Sequence, residues 1–349
     1  MFKKLTPMIA LFVSLLLSYA MTAKSWAQTA TLFANGFFLP TGVTVDSSGN
    51  LFVVSDKVFN VAVSKFAPNG ALLWEIPIGG ITIGFQGKIA TNPVTGQLFF
   101  LAPNGQILLI NPVNGATVPL VNLQNIPIDT SSIFDIASGK VGNFGGNLGL
   151  SSFFNYGDIA VLQRQNITAL FVTGTSQAQA FPFIMRLRFQ NNSLVQAKFI
   201  AGSSASTAGS SNFASGIAVN NQGTVFATLP IPTRNFILGN FNAPVAFNAD
   251  FDLTPNTSDD PDIVLNGIDL STKGMTSDAA GNFYVAGSSV GSTIGGIAAG
   301  SGGLYVFSPT LDGVVSTIPV GGLPGTSDVA VNPAGGVYVA TQDSVILLR

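Results

Sequence analysis

The sequence predicts an all-β fold, a six-bladed β-propeller whose N-terminal strand completes the last blade. Three observations predict it. One hairpin phrase recurs along the chain, helical periodicity is absent after the first residues, and the last copy lacks a strand that the N-terminus can supply.

The phrase appears six times when aligned on its apolar triplet. The copies are "GVTVDSSGNLFVV" at Gly42, "KIATNPVTGQLFFL" at Lys88, "DIAVLQRQNITALFVT" at Asp158, "GIAVNNQGTVFAT" at Gly216, "GMTSDAAGNFYVA" at Gly274 and "DVAVNPAGGVYVA" at Asp328. Each reads as strand, tight turn, strand. Asp or Asn opens the turn because its side chain accepts from backbone N–H groups two residues on, and Gly closes it by tolerating a positive φ. The third copy is degenerate, with Leu162 in place of the Asp or Asn and no Gly after it. Further runs such as "VAVSKFAP" and "LLWEIPI" follow the hairpin, bringing each unit to four antiparallel strands. The last unit has only "SVILLR" after "GVYVAT", whereas "ATLFANGFF" (residues 30–38) stands unassigned before the first copy. Docking that segment on the strand near Val345–Leu348 closes the ring and removes an exposed edge.

Ahead of the repeats, Lys3 and Lys4 precede an uncharged apolar stretch from Met8 to Tyr19 and a small-residue site at Ser25-Trp26-Ala27. This is the pattern of a signal peptide, residues 1–27, cleaved after Ala27. The run is shorter than the ~20 residues of a membrane span. The expected mature domain is residues 28–349, exported to the periplasm or outside the cell, soluble and monomeric. Removing Lys3, Lys4 and Lys24 leaves 11 bases against 16 acids, a net charge of −5. That gives no footprint for nucleic acid or an anionic membrane. Only 9% of residues are charged, so solubility rests on uncharged polar side chains and turn backbone.

The repeated [GD]-[IVM]-[AT]-[VS]-[DN]-x-x-G-[NGTQ]-[LFV]-[FY]-V unit resembles NHL-type propeller repeats. It also resembles the blades of the gluconolactonase/regucalcin and strictosidine-synthase-like families. That resemblance covers nearly the whole mature chain and implies the fold, while one such scaffold hosts unrelated functions. In gluconolactonase-like enzymes a divalent cation sits at the channel mouth on an Asp, a Glu and Asn residues placed just before the Gly of such repeats. Thr41, Ser215 and Lys273 occupy those positions here. A hard cation needs several oxygen ligands, preferably anionic, so the resemblance implies a lost site with no metal and no cofactor.

Histidine and cysteine are both absent. His-ligated zinc, Ser-His-Asp triads and thiol nucleophiles are therefore excluded, leaving Asp, Glu, Lys and Tyr for proton transfer. Four charges fall on the residues expected to converge at the channel mouth: Lys88, Asp158, Lys273 and Asp328. The expectation is two inter-blade salt bridges, each lysine with the aspartate of the next copy; the alternative is a polar ring that orients an acidic or carbonyl-bearing ligand.

Long loops should lie beside this mouth, the longest over 124–156, with others from 230 and 287. Phe134, Phe144, Phe153, Phe154, Tyr156, Arg234 and Phe236 either wall a pocket there or form a lid packed on itself. The acidic stretch 250–262 lacks ordered calcium-ligand spacing and reads as a solvated turn. The expected function is a binding module that takes a small molecule, glycan or protein on the loop-rich face. The alternative is a metal-free strictosidine-synthase-like or lactonase-like enzyme, for example in pigment biosynthesis.

Overall fold

The computed structural model describes residues 29–57, 60–79, 87–131, 133–135, 140–142, 154–176, 181–202, 216–231, 241–248, 270–289, 302–309, 314–319 and 327–349. Among these, the chain begins with β1 (Ala30–Asn35) and then forms β2 (Phe38–Val45), β3 (Leu51–Asp56), β4 (Val61–Phe66) and β5 (Leu72–Ile78). The next unit is β6 (Lys88–Thr91), β7 (Leu98–Leu101), β8 (Gln106–Ile110) and β9 (Thr117–Asn122). A short hairpin, β10 (Ile133–Asp135) and β11 (Lys140–Gly142), precedes four long strands: β12 (Phe154–Arg164), β13 (Ile167–Ser176), β14 (Phe181–Gln190) and β15 (Ser193–Gly202). Then come β16 (Gly216–Val219), β17 (Thr224–Ile231), β18 (Phe241–Asn248), β19 (Leu270–Ser277), β20 (Phe283–Ser289), β21 (Gly302–Phe307) and β22 (Val314–Pro319). The chain ends with β23 (Asp328–Val331), β24 (Val337–Ala340) and β25 (Ser344–Leu348).

The turn chemistry that the sequence implies operates as written. Asp46 Oδ1 accepts from the N–H groups of Ser48 and Asn50, both at 2.9 Å, and Gly49 takes φ +80°. Asn220 repeats this with Gln222 and Thr224, and Gly223 takes φ +91°. The degenerate third copy turns differently. Arg164 pairs directly with Ile167, and Gln165 takes the left-handed conformation at φ +51°. Without the Asx-to-Gly turn to stop them, β12 and β13 extend to 11 and 10 residues.

These strands fall into five sheets rather than the six expected. The difference has one cause. Asn242 in β18 pairs with Leu270 in β19, and this single pair joins two hairpin units into one seven-stranded sheet, β16 to β22. Part of the expected 124–156 loop is also strand. β10 runs parallel to β15, with Phe134 opposite Ala201, so β10 and β11 extend the third unit's sheet to six strands. β1 pairs antiparallel with β25, Ala30 opposite Leu348 and Asn35 opposite Ser344, in a sheet of order β1-β25-β24-β23.

The first strand of each hairpin copy lies innermost, and these strands touch in the cyclic order β2, β6, β12, β16, β19, β23 and back to β2. The core is correspondingly divided into wedges between units. Ile89 packs with Phe52, Val54 and Phe100 between the first two sheets; Val329, Val339 and Ile346 pack with Tyr284 and Leu304 between two others. Within the seven-stranded sheet, the Phe226 ring of β17 packs tilted against Phe283 and edge-on against Phe307, with centroids 5.2 and 5.3 Å away, so that sheet folds back on itself across the same kind of wedge. Full burial of each such side chain stabilises by roughly 1.5–3 kcal/mol. The inner strands thereby enclose a central channel, the architecture of a β-propeller.

Candidate functional site: the central channel

The residues that begin the six hairpin copies are Gly42, Lys88, Asp158, Gly216, Gly274 and Asp328. Three have no side chain, and this lets the other three fill one end of the channel. Asp328 accepts from Val329 N–H on its own strand at 2.9 Å and from Val43 N–H on β2 at 2.8 Å. Asp158 makes the same clip from β12 to β16, accepting from Ile159 N–H at 2.9 Å and Ile217 N–H at 3.2 Å. Thr41 donates its hydroxyl to the Gly87 carbonyl at 2.9 Å, linking β2 to the residue before β6. Inner strands are sheet edges, and unpaired N–H groups there need acceptors. Short Asp side chains provide them across the gap between neighbouring units.

Lys88 bridges further. Its Nζ donates to the Lys273 carbonyl at 2.9 Å, on the strand three places away around the ring, and to the Ser327 carbonyl at 3.3 Å. It stands 3.8 Å from Asp328 Oδ2. Lys88, Asp158 and Asp328 are each less than 5% exposed, so this end is sealed. The expected pairing is corrected here. Lys88 pairs with Asp328 rather than Asp158, and Lys273 contributes its carbonyl while its side chain is exposed. The physical reason is reach, since Lys88 extends across the channel instead of along the ring.

One ammonium among two buried carboxyls leaves an excess of acid. Burial pushes Asp158 up to about 7; the Lys88 charge opposes this and the Asp328 charge adds to it. Asp328 is also raised by burial, against the Lys88 charge and the two N–H groups it accepts from.

Beyond this floor the channel holds a cavity of about 440 Å³. Its wall runs from Asp158, Ile217, Met275 and Asp328 to the hairpin turns, where exposed Ser47, Pro93, Asn221, Ala279 and Pro333 form the rim. The open end is thus the turn face, not the face where the inner strands begin. Thr44, Thr91, Val45, Val219, Ser277 and Val331 line it in a half-buried band. Reading the first position of each copy missed this band; the fourth position, Val45, Thr91, Val161, Val219, Ser277 and Val331, carries its signal.

Among the remaining expected site residues, Tyr156 lies on β12 and is buried against Phe183, with ring centroids 6.3 Å apart. Its ring also covers Gly105, so it packs between two sheets instead of walling a loop pocket. Phe134 lies on β10 and Phe154 on β12. Ser215, Arg234, Phe236, Phe144, Phe153 and the 250–262 stretch lie outside the described residues. Among the described residues no group of three or more acidic side chains is placed to hold a metal ion.

Fold and channel together define the class: this is a β-propeller. No protein-family model and no curated protein sequence matches the chain. Solved structures do. An α-L-arabinanase of Penicillium chrysogenum complexed with arabinobiose is 10% identical, covering 92% of this chain and 98% of that one with a TM-score of 0.56. A streptogramin B lyase is 9% identical, covering 94% and 99% with a TM-score of 0.50. The Cps50 (Swd1) β-propeller domain of Myceliophteria thermophila is 11% identical, covering 92% and 99%, also at 0.50. At such identities the likeness is one of fold alone, and the differing activities of these proteins illustrate how little fold dictates chemistry.

Proposed function

We propose that this protein is an exported, monomeric NHL-like propeller of six radial units, closed by β1, that acts as a binding module through its loop-rich face. One observation carries the choice of binding over catalysis. The charged groups that converge where the inner strands begin are engaged in holding strands together: Asp158 and Asp328 clip neighbouring units, and Lys88 ties the opposite side. Chemistry needs groups free to meet a substrate, and these are buried. The six-unit count is supported by the six inner strands in cyclic contact and by the Phe226 wedge inside the seven-stranded sheet. The β1–β25 register supports closure, and the leader-like residues 1–27 support export.

A metal-free lactonase-like or strictosidine-synthase-like enzyme is the second reading, favoured by the position of Asp158 near 7, the range of a general base. Two measurements on the purified protein separate the readings. Retention of one identified ligand or protein from an envelope extract, lost in Arg234→Ala with the fold intact, supports the binding module. Lactone hydrolysis that persists in EDTA and disappears in Asp158→Asn overturns it.

A further inference from the structure

We propose that Asn35–Gly36 is a site of spontaneous covalent modification, where the Asn35 side chain deamidates through a succinimide and loosens β1 from β25. The chemistry is intramolecular. The Gly36 backbone nitrogen loses its proton to hydroxide and attacks Asn35 Cγ. The N–Cγ bond forms, the bond from Cγ to the side-chain amide nitrogen breaks, and ammonia leaves. Water then opens the imide ring at either carbonyl. One opening gives aspartate; the other gives isoaspartate, with the main chain rerouted through Cβ and Cγ and longer by one carbon. In balance, an amide and a water become a carboxylic acid and ammonia. Glycine favours the attack because no Cβ crowds its nitrogen.

The described residues hold four Asn–Gly pairs: Asn35–Gly36, Asn69–Gly70, Asn104–Gly105 and Asn114–Gly115. All four glycines take a left-handed φ, between +76° and +86°, so conformation does not separate them. Hydrogen bonding does. Gly70 N–H donates to the Ala67 carbonyl and Gly105 N–H to the Ala102 carbonyl, both at 2.9 Å, and Gly115 N–H to the Asn111 carbonyl at 2.8 Å. Their asparagines are held as well. Asn69 and Asn104 Oδ1 accept from Ala71 and Gln106 N–H at 3.1 Å, and Asn114 Oδ1 from Ala116 N–H at 3.0 Å. A nitrogen bonded inside a turn meets Cγ only when the turn opens. Neighbours confine these turns further, since the Tyr156 ring lies against Gly105, Ile76 against Gly115 and the Phe33 carbonyl against Gly70.

Asn35–Gly36 differs on each count. Among the described residues, Gly36 N–H has no acceptor and the Asn35 side chain has no partner. Both residues are exposed, and nothing stands within 4 Å of the place a Gly36 Cβ would take. The backbone bonds on either side skip Gly36: Asn35 pairs with Ser344, and the next bond runs from Phe37 N–H to the Asp343 carbonyl at 3.2 Å. Position then gives the modification its effect. Asn35 is the last paired residue of β1, while Phe37 is buried between the last and first units, its ring 5.8 Å from Phe66. An extra main-chain carbon between those anchors displaces either the β1 register or the Phe37 ring.

The experiment ages the purified full chain in mildly alkaline buffer. Peptides are mapped by mass spectrometry with fragmentation that separates aspartate from isoaspartate, each event adding about 1 Da. In the folded protein Asn35 should convert at least about tenfold faster than Asn69, Asn104 and Asn114, because each bonded turn must first open. In urea all four should convert at similar rates. The aged protein should melt lower in step with its isoaspartate content, whereas Asn35→Gln aged alongside keeps its melting temperature. Fresh Asn35→Asp, which carries the charge without the extra carbon, should melt like the parent. Equal rates at the four pairs in the folded chain overturn the proposal, as does faster conversion at any of the other three. So does an aged parent that melts unchanged with isoaspartate at Asn35, or an aged Asn35→Gln that loses as much as the parent.

Discussion

Lys88 on β6 and Asp328 on β23 belong to different sheets, yet their charges meet inside the ring, Nζ 3.8 Å from Oδ2. Both side chains are almost wholly buried. The same ammonium donates to two carbonyls contributed by Lys273 and Ser327. A single side chain thus draws strands from three units together.

Removing that ammonium should be costly. Lys88→Met leaves two buried carboxyls without a cation and two carbonyls without a donor. Breaking a buried pair from one side typically costs ~3–5 kcal/mol, and the urea midpoint of unfolding should fall accordingly. The double variant with Asp328→Asn should regain part of the loss. A single variant within ~1 kcal/mol of the parent contradicts this account of the floor.

Acid should stabilise the ring over a defined window. The unfolded chain releases the Asp158 proton near the ordinary ~3.9, whereas the folded protein holds it to about 7. Stability from this group is therefore full below about 4 and is lost as pH rises toward 7. Melting temperature should decline between pH 4.5 and 7, and Asp158→Asn should flatten that decline. A curve that rises through the same window in the parent protein refutes the assignment.

Gly274 should tolerate no side chain. A Cβ built there overlaps Asp328 Oδ1 and comes within 2.7 Å of Asp328 Cα, which is backbone and cannot swing away. Gly274→Ala should destabilise by at least ~1–3 kcal/mol through overpacking. Gly42→Ala, whose nearest neighbours stand at 3.3 Å, should cost less. Chemical denaturation of the two variants side by side tests the order.

Deleting residues 28–38 should expose the whole of β25. Ser344–Leu348 are all buried, and losing β1 uncovers both their packing and their edge N–H and C=O groups. Aggregation or a large fall in melting temperature is expected. Unchanged melting would show that β1 contributes nothing to closure.

Residues whose role is local were legible in the sequence. Asp46 and Gly49, or Asn220 and Gly223, specify their turns through bonds spanning two to four residues, so spacing alone reveals them. The alternating apolar runs likewise declared the strands, since period 2 follows from strand geometry. Tertiary structure decided what depends on distant backbone. Sequence placed Lys88, Asp158 and Asp328 at one end of the ring, but not which acid the lysine would reach. That choice depends on the gap across a channel whose width is set by wedge packing between units. The pair Asn242 and Leu270, which merges two units into one sheet, has no sequence signature because any two residues can share a backbone bond. The same reason hid the direction in which the channel opens. Every copy writes the same strand from sealed end to turn, and only the side chains of the second, third and sixth copies, meeting in space, close one end and leave the other open.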